Sequence, residues 1–300
     1  MVTSSQAQDL EARRVSQVGL SAIGWALLRH KLARIGVAII VLLTCMAVFA
    51  PLLAPFDPNE QDLYNVLSGP SQKHWRGTDN VGRDLLSRVM YGSRVSMLVG
   101  VVATSLSASI GVLVGLVAGY RGGKVDMVVM RITDTFMCIP GLVFVLVMAA
   151  ALGPGINNVI YAIVALGWCG FARITRGQVL SVREQPFVEA ARALGTGGLR
   201  IMFRHLLPNS LAPIIVAATL TLGGTIMMEA SAAFLGLGVQ PPTASWGKEL
   251  RTGYTYLERV PLFSIAPGLL ITAAVLSFNF VGDGLRDALD PRLRGEGKKQ

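Results

Sequence analysis

The feature that most constrains the fold of this chain is a series of apolar segments that are long enough to cross a membrane. A membrane-spanning helix needs about 20 predominantly apolar residues. Of the 300 residues here, 52% are hydrophobic and only 15% are charged. The apolar segments lie at residues 32–54, 95–120, 131–152, 157–172, 210–238 and 262–281. We therefore predict an all-α integral membrane protein with six transmembrane helices, of which the fourth is the shortest.

The distribution of basic residues predicts the orientation of these spans. Lysine and arginine in short loops stay on the cytoplasmic side of a membrane. Most of the 27 Lys and Arg residues fall in segments that a cytoplasmic N-terminus would leave inside. Both the N-terminus and the C-terminus are therefore expected to be cytoplasmic.

This topology divides the chain into a cytoplasmic segment at 1–31, a transmembrane domain at 32–293 and a cytoplasmic tail at 294–300. Two loops are expected outside, at 55–92 and 239–261, and a long basic loop at 173–209 is expected inside. Residues 17–31 carry apolar side chains at helical spacing before a basic end. That pattern indicates either an interfacial helix under the membrane or an extension of the first span.

Composition and motifs exclude several classes of function. The net charge of +9 would suit nucleic acid, but the basic residues are spread along the chain as topology and anionic lipid headgroups require. The basic stretch that contains Gly122-Gly123-Lys124 lacks the upstream Gly of a phosphate-binding loop, and no Ser or Thr follows Lys124. The three cysteines lie in or beside apolar spans, which predicts neither a disulfide nor a metal site. We expect membrane lipid but no nucleic acid as a partner, and no hydrolytic activity in this chain alone.

The inner loop contains a short, soluble-looking helix–turn–helix. Pro186 and the acidic Glu189 are typical of a helix start, and Gly195 is typical of a left-handed helix stop. Between them the small Ala190 and Ala191 would let the surface of a partner come close. Glu189 and Arg192 would supply charge at the two ends of that contact. This pattern predicts a docking element for another protein.

At these residues the chain resembles the transmembrane permease subunits of ATP-binding-cassette importers. Their signature is Glu-Ala-Ala, three residues, Gly and, after a fixed gap, Leu-Pro. The matching positions are Glu189, Ala190, Ala191, Gly195, Leu207 and Pro208. His205 departs from it, since that position usually holds Ile, but the spacing is intact.

Three further stretches, at 77–88, 234–247 and 282–291, resemble one branch of that family more closely. They contain Gly77-Thr78-Asp79, Phe234-Leu235-Gly236-Leu237-Gly238 and Gly282-Asp283-Gly284. The branch imports dipeptides, oligopeptides, glutathione or nickel, and the resemblance is to its second permease subunit. It covers nearly the whole chain from about residue 32 to residue 293.

The resemblance implies the permease fold of type I importers and a place in the bacterial inner membrane. The expected partners are a second homologous permease, two cytoplasmic ATPase subunits and an extracytoplasmic solute-binding protein. This chain would hold no cofactor, because ATP and Mg would bind to the ATPases. It would form half of a translocation path for peptides and couple ATP hydrolysis to import through 173–209, with Glu189, Ala190, Ala191, Arg192, Gly195, Leu207 and Pro208 as the coupling residues.

Two other functions remain open at this point. The same class of importer could carry nickel or another small solute. A secondary transporter is a more distant alternative, although its usual internal repeats with broken helices are not evident here.

Glu229 is the one acidic residue deep in a span, where an ionisable group is costly unless it faces a cavity or a partner. It could line the translocation path together with Met228 and Ser231. It could equally be a hydrogen-bonded packing residue.

Three local expectations follow from spacing. Gly111, Gly115 and Gly119 form a small-xxx-small row, which we expect to pack within the chain. Arg131 and Asp134 are three residues apart and would pair across one helical turn, before Pro140 interrupts that helix. In the first outer loop, Thr78 or Asp79 is expected to cap a helix through residues 83–89 that shows its charges outward.

Overall fold

The computed structural model describes residues 30–289, and this part of the chain forms helices joined by loops, of which the longest covers residues 54–84. The helices are α1 (Lys31–Val48), α2 (Ala50–Leu53), α3 (Leu85–Arg121), α4 (Gly123–Met137), α5 (Gly141–Leu152), α6 (Ile156–Arg183), α7 (Pro186–Ala193), α8 (Gly198–Ile201), α9 (Leu207–Phe234), α10 (Trp246–Thr255) and α11 (Pro261–Leu289). A π-helical turn, Met202–Leu206, joins α8 to α9. The predicted interfacial helix and the tail at 294–300 lie outside the described residues, apart from the last two residues of the former.

Among the described residues five helices are long and apolar enough to cross a membrane, and the number is six when the bent pair α4 and α5 is counted as one crossing. The six crossings agree with the sequence prediction in number. We call the end of the bundle where α3 ends and α9 begins the inner end, and the end where α3 begins and α9 ends the outer end. These names follow the predicted orientation.

The third span is not the single helix that the apolar run 131–152 predicts. It is a pair of helices, α4 and α5, whose axes differ by 85°. The break falls at Cys138 to Pro140, where Pro140 directly precedes α5 with φ −57°. Proline disfavours helical backbone at the preceding residue and has no N–H to donate, so the interruption expected at Pro140 becomes a sharp bend.

Several helices differ in length from the apolar runs that predicted them. The fourth span, expected to be the shortest, belongs to the 28-residue α6, because its polar inner half continues as helix beyond the apolar run. The first outer loop ends earlier than predicted, since α3 begins at Leu85. The inner loop between α6 and α9 is correspondingly shorter than 173–209 and covers 184–206.

The most extensive contact between two described helices joins α3 to α6. This contact depends on the predicted glycine row. A Cβ atom at Gly111 or Gly115 would overlap backbone atoms of α6, and one at Gly119 would lie 2.8 Å from Val179. Small residues at this spacing let two helix backbones approach closely. The row therefore packs within the chain, as expected.

Four apolar clusters lie between the described helices, and the smallest packs Leu85 of α3 against Val260 and Phe263 at the outer end. The first joins α3, α5 and α6 through Val99, Val145 and Val159. The second joins α1, α9, α10 and α11 through residues that include Leu43, Ile226, Trp246 and Phe278. The third lies at the inner end and is described with the candidate site.

We expect Gly115→Val to lower the thermal unfolding midpoint and the yield of the protein in detergent. The added side chain overlaps the carbonyl oxygen of Ala172, and overpacking of this kind costs about 1–3 kcal/mol. Gly177→Val on α6 is the matched control, because a Cβ there meets no atom within 4 Å. Equal midpoints for the two variants would contradict the proposed α3–α6 contact.

Candidate functional site

The helix α7 begins and ends where the sequence predicted. Pro186 occupies its first turn, where the missing N–H costs nothing. At the other end Gly195 has φ +76°, a left-handed conformation that favours glycine. The Gly195 N–H donates to the Arg192 carbonyl (2.9 Å), and the Thr196 N–H donates to the Ala191 carbonyl (3.0 Å). These two bonds form a Schellman stop, which fixes the direction of the chain after α7.

One face of α7 is packed onto the bundle. Val188 and Ala191 are buried; Val188 joins an inner-end cluster with Leu116 of α3, Val179 of α6 and Ile201 of α8. The sequence prediction placed both alanines against a partner. Ala191 instead faces this chain, and Ala190 is the exposed one.

The opposite face of the element is exposed and largely apolar. Leu194 is 86% exposed and Leu199 is 71% exposed, and Phe203 is half-exposed. Glu189 is exposed beside them, and the Arg192 guanidinium lies 5.8 Å from the centre of the Tyr120 ring. An apolar patch with a charged rim of this kind is typical of a protein–protein contact. We call the exposed residues of 186–203 the inner surface.

The inner surface is continuous with a membrane-crossing helix. The span from Gly198 to Phe234 is helical throughout and forms one crossing. A π-helical turn precedes Pro208, which suits a residue that has no N–H to donate. Leu207 is partly buried against the inner-end cluster, and Pro208 is exposed. A displacement of the inner surface can therefore be carried along one helical rod.

A cavity of about 420 Å³ lies between α6, α9 and the bend of α4 and α5. Its lining residues are Met137, Ile139, Ile163, Leu166, Gly167, Cys169, Gly170, Phe171, Ile174, Ala217, Thr221, Gly224, Thr225 and Met228. Among the described residues, no charged side chain contributes to this lining. The volume lies in the range of small-molecule sites.

The three predicted path residues occupy different surroundings. Met228 lines the cavity. Glu229 does not line it and is only 2% exposed, and it accepts a hydrogen bond from the Ser96 hydroxyl of α3 (2.9 Å). The Ser231 hydroxyl donates to the Met227 carbonyl (2.8 Å). For Glu229, this geometry favours the packing alternative over the path alternative.

The Glu229 carboxylate belongs to a polar link between α9, α3 and α10. The Ser96 hydroxyl that donates to it also accepts from the backbone N–H of Trp246 (3.2 Å), at the start of α10. The first N–H groups of a helix favour negative charge nearby. Gly247 fits against the Ala230 backbone, where a Cβ would overlap it. The outer helix α10 is therefore held closely against α9.

A buried ion pair joins the two outer segments. The Arg88 guanidinium of α3 donates to both carboxylate oxygens of Glu249 in α10, at 2.7 Å and 3.1 Å, and also to the Pro58 carbonyl (2.9 Å). The exposed fraction is 0% for Arg88 and 2% for Glu249. The prediction that Arg88 points outward is therefore wrong. The two residues are 161 positions apart, and no local pattern identifies them as partners.

The cap of the outer helix is also different from the prediction. Asp84, not Thr78 or Asp79, caps α3 by accepting from the Ser87 N–H (2.8 Å). Its other oxygen lies 3.0 Å from Nδ1 of the buried His74. Asp79 instead accepts from the N–H groups of Val81 (2.8 Å) and Arg83 (2.9 Å) and closes the preceding loop. The predicted outer helix is the first turn of α3.

Lys248 of α10 is a partly exposed cation near the buried pair of Arg88 and Glu249. Burial, together with the nearby Arg88 guanidinium, lowers the pKa of Lys248 to about 8. Its Nζ atom donates to the Thr243 carbonyl (2.9 Å). The start of α10 therefore becomes less positive as the pH rises above that value.

Ion pairs near the inner end tie α4 to α6. Asp134 pairs with Arg173 (2.6 Å), and Asp126 pairs with Arg176 (2.5 Å). The predicted pair of Arg131 with Asp134 is therefore wrong. Both carboxylates of α4 face a neighbouring helix, and contacts between helices cannot be read from spacing within one helix.

Comparison with known proteins gives two family matches. The family described as "Binding-protein-dependent transport system inner membrane component" matches residues 111–295. The family described as "N-terminal TM domain of oligopeptide transport permease C" matches residues 22–70. Together they cover the helices that form the inner surface and the cavity.

Curated relatives match along nearly their whole length. The oligopeptide transport system permease protein OppC of Bacillus subtilis is 42% identical over 95% of this chain and 94% of its own. The dipeptide transport system permease protein DppC of Alkalihalophilus pseudofirmus is 43% identical over 89% of this chain and 88% of its own. The glutathione transport system permease protein GsiD of Shigella boydii is 42% identical, with the same two coverages.

Among solved structures, an inward-facing MetNI methionine ABC transporter has a chain of similar fold. The TM-score is 0.55 at 22% identity, and the match covers 69% of this chain and 98% of that one. At this identity the likeness concerns the fold alone. It supports the predicted importer permease fold.

We expect Arg88→Met to destabilise the protein by about 3–5 kcal/mol, because it leaves the Glu249 carboxylate buried without its partner. Removal of both charges, in Arg88→Met with Glu249→Leu, should restore much of that stability. The measurement is the thermal unfolding midpoint in detergent. Arg94→Met, at an exposed position of the same helix, is the control, and an equal effect of Arg88→Met and Arg94→Met would contradict the buried-pair interpretation.

Proposed function

Because the chain belongs to the family of binding-protein-dependent transport system inner membrane components, we propose that it is one of two permease subunits of an ATP-driven peptide importer. It is a multi-pass protein of the bacterial inner membrane and a transport component, not an enzyme. The proposal adds the cargo, the partners and the residues that couple transport to ATP hydrolysis.

The observation that carries the proposal is the inner surface at the base of the α8–α9 rod. It exposes Leu194 and Leu199 next to Glu189, and within residues 30–289 no other part of the chain covers these three. We propose that a cytoplasmic ATPase subunit docks here, with its apolar contacts on the leucines and a charged contact on Glu189. A second ATPase would dock on the second permease, and ATP and Mg would bind to the ATPases.

A rigid connection explains how docking could drive transport. Closure of the ATPase pair would displace the inner surface. The Schellman stop at Gly195 fixes the angle between α7 and α8, and the continuous helix from Gly198 to Phe234 carries the displacement to the outer end. Conformational coupling requires such a connected element with two arrangements. In this account Arg192, Leu207 and Pro208 hold the two ends of the element in place.

The translocation path would pass the cavity at the bend of α4 and α5. Met228 would face the cargo there, whereas Glu229 would serve helix packing through its hydrogen bond with Ser96. The second permease would complete the path from the other side. A solute-binding protein would deliver cargo at the outer end, with both termini of this chain in the cytoplasm.

Peptides are the proposed cargo because the relatives named above are oligopeptide, dipeptide and glutathione permeases. The apolar cavity lining is consistent with cargo that carries uncharged side chains. It includes no carboxylate among its described residues that would favour a metal ion.

We expect Gly195→Val to lower coupled uptake by roughly 5- to 30-fold while the complex stays assembled. A left-handed backbone costs an L-residue about 1–2 kcal/mol, which corresponds to roughly a 5- to 30-fold loss of the correct helix stop. The readouts are peptide uptake and the amount of ATPase that co-purifies with the chain.

Gly195→Asn is the matched control for this change. Asparagine tolerates the left-handed conformation that valine avoids, so it keeps the helix stop while it places a side chain at the same position, where a Cβ meets no described atom within 4 Å. Normal uptake by Gly195→Val at normal abundance would refute the coupling role of this turn.

A further inference from the structure

Two glycines of the cavity have open space where a side chain would be. Gly170 of α6 and Gly224 of α9 both line the cavity. A Cβ built at either position meets no atom of the described residues within 4 Å. A side chain placed there would therefore occupy the cavity without displacing any neighbour in the described fold.

A Cβ would meet neighbouring atoms at the glycines of the α3–α6 contact and at Gly167, a third glycine of the cavity lining. A Cβ at Gly167 would lie 2.5 Å from the Ser107 hydroxyl oxygen of α3, so Gly167 is needed for packing. Gly111 and Gly115 likewise sit against α6. Helix packing explains these three glycines but leaves Gly170 and Gly224 unexplained.

The neighbours of the two open glycines also argue against a docked helix. Close approach of two membrane helices uses small residues four positions apart. The positions four before and four after Gly170 are Leu166 and Ile174, and those around Gly224 are Leu220 and Met228. These large side chains would hold another helix away from both glycines.

The cavity wall offers shape rather than charge. Each of its two threonine hydroxyls makes one hydrogen bond within the chain, since Thr221 donates to the Ala217 carbonyl (2.7 Å) and Thr225 accepts from Thr104 (3.1 Å). The remaining lining is apolar apart from backbone and the Cys169 thiol. Selection among cargo molecules in the cavity can therefore come from the space available to them.

We propose that Gly170 and Gly224 are specificity-determining residues that set the width of this half of the translocation path. Their missing side chains admit peptides with bulky apolar side chains, which larger residues would exclude. The inference rests on the proposed function, because it takes the cavity as part of the path.

The test uses the complete importer with its native binding protein, reconstituted in vesicles with ATP. The chain is wild type, Gly170→Leu, Gly224→Leu or the milder Gly224→Ala. Gly177→Leu is the matched control, because Gly177 lies on the same helix as Gly170, has equally open surroundings and is not part of the cavity lining. The probes are dialanine and diphenylalanine, supplied together and quantified inside the vesicles by mass spectrometry.

We expect both leucine variants to raise the ratio of dialanine to diphenylalanine uptake by at least about tenfold, as steric rejection in a site of fixed shape allows. Gly224→Ala should raise it less, and Gly177→Leu should leave it at the wild-type value. An unchanged ratio in both leucine variants would overturn the proposal, whether total uptake stays normal or falls.

Loss of the second permease from the purified leucine variants would also overturn it, since the glycines would then serve contact between subunits. Failure of the wild type to import either peptide would count against peptide cargo itself, and so against the proposed function as well. The two failures are therefore distinguishable.

Discussion

The close contact between α3 and α6 is the interaction on which the rest of the structure most depends. Its glycine row brings the two helix backbones together in the bilayer, where packing rather than the hydrophobic effect drives helix association. At the inner end the same two helices present Leu116 and Val179, on which α7 and α8 rest. The position of the inner surface is thus set by a contact deep in the membrane.

The outer end is held by different forces. There, buried polar groups act together with the close packing of Gly247 on Ala230: Arg88 pairs with Glu249, and Glu229 meets Ser96 beside the start of α10. Breaking a buried pair is costly because the remaining charge has no water. The outer ends of α3 and α9 are thereby both bound to α10. The bend of α4 and α5 lies on the far side of the cavity from α9, so the bent pair forms that wall of the cavity.

Much of this architecture could be predicted from the sequence, because each successful prediction depends on local chemistry. Apolar runs of span length gave six crossings, and Pro186 with Gly195 located the ends of α7. The left-handed conformation of Gly195 follows from glycine having no Cβ.

The larger failures share a physical cause, which is that they involve contacts between distant segments. Arg88 and Glu249 each look like a solvated loop charge until the fold brings them together. Asp134 meets Arg173 of another helix in place of Arg131 on its own. The sequence located the break at Pro140, but the 85° angle is a property of the folded bundle. Ala191 is buried because one face of α7 packs against the bundle, and Ala191 lies on that face together with Val188.

The most direct test of the coupling account places a photo-crosslinking residue at Leu194, which is exposed on the inner surface, in the assembled importer. A second version carries it at Tyr64, which is fully exposed in the first outer segment. The account predicts a crosslink from position 194 to a cassette ATPase subunit and none to that subunit from position 64. A transport-competent complex that yields no ATPase adduct from position 194 would contradict it.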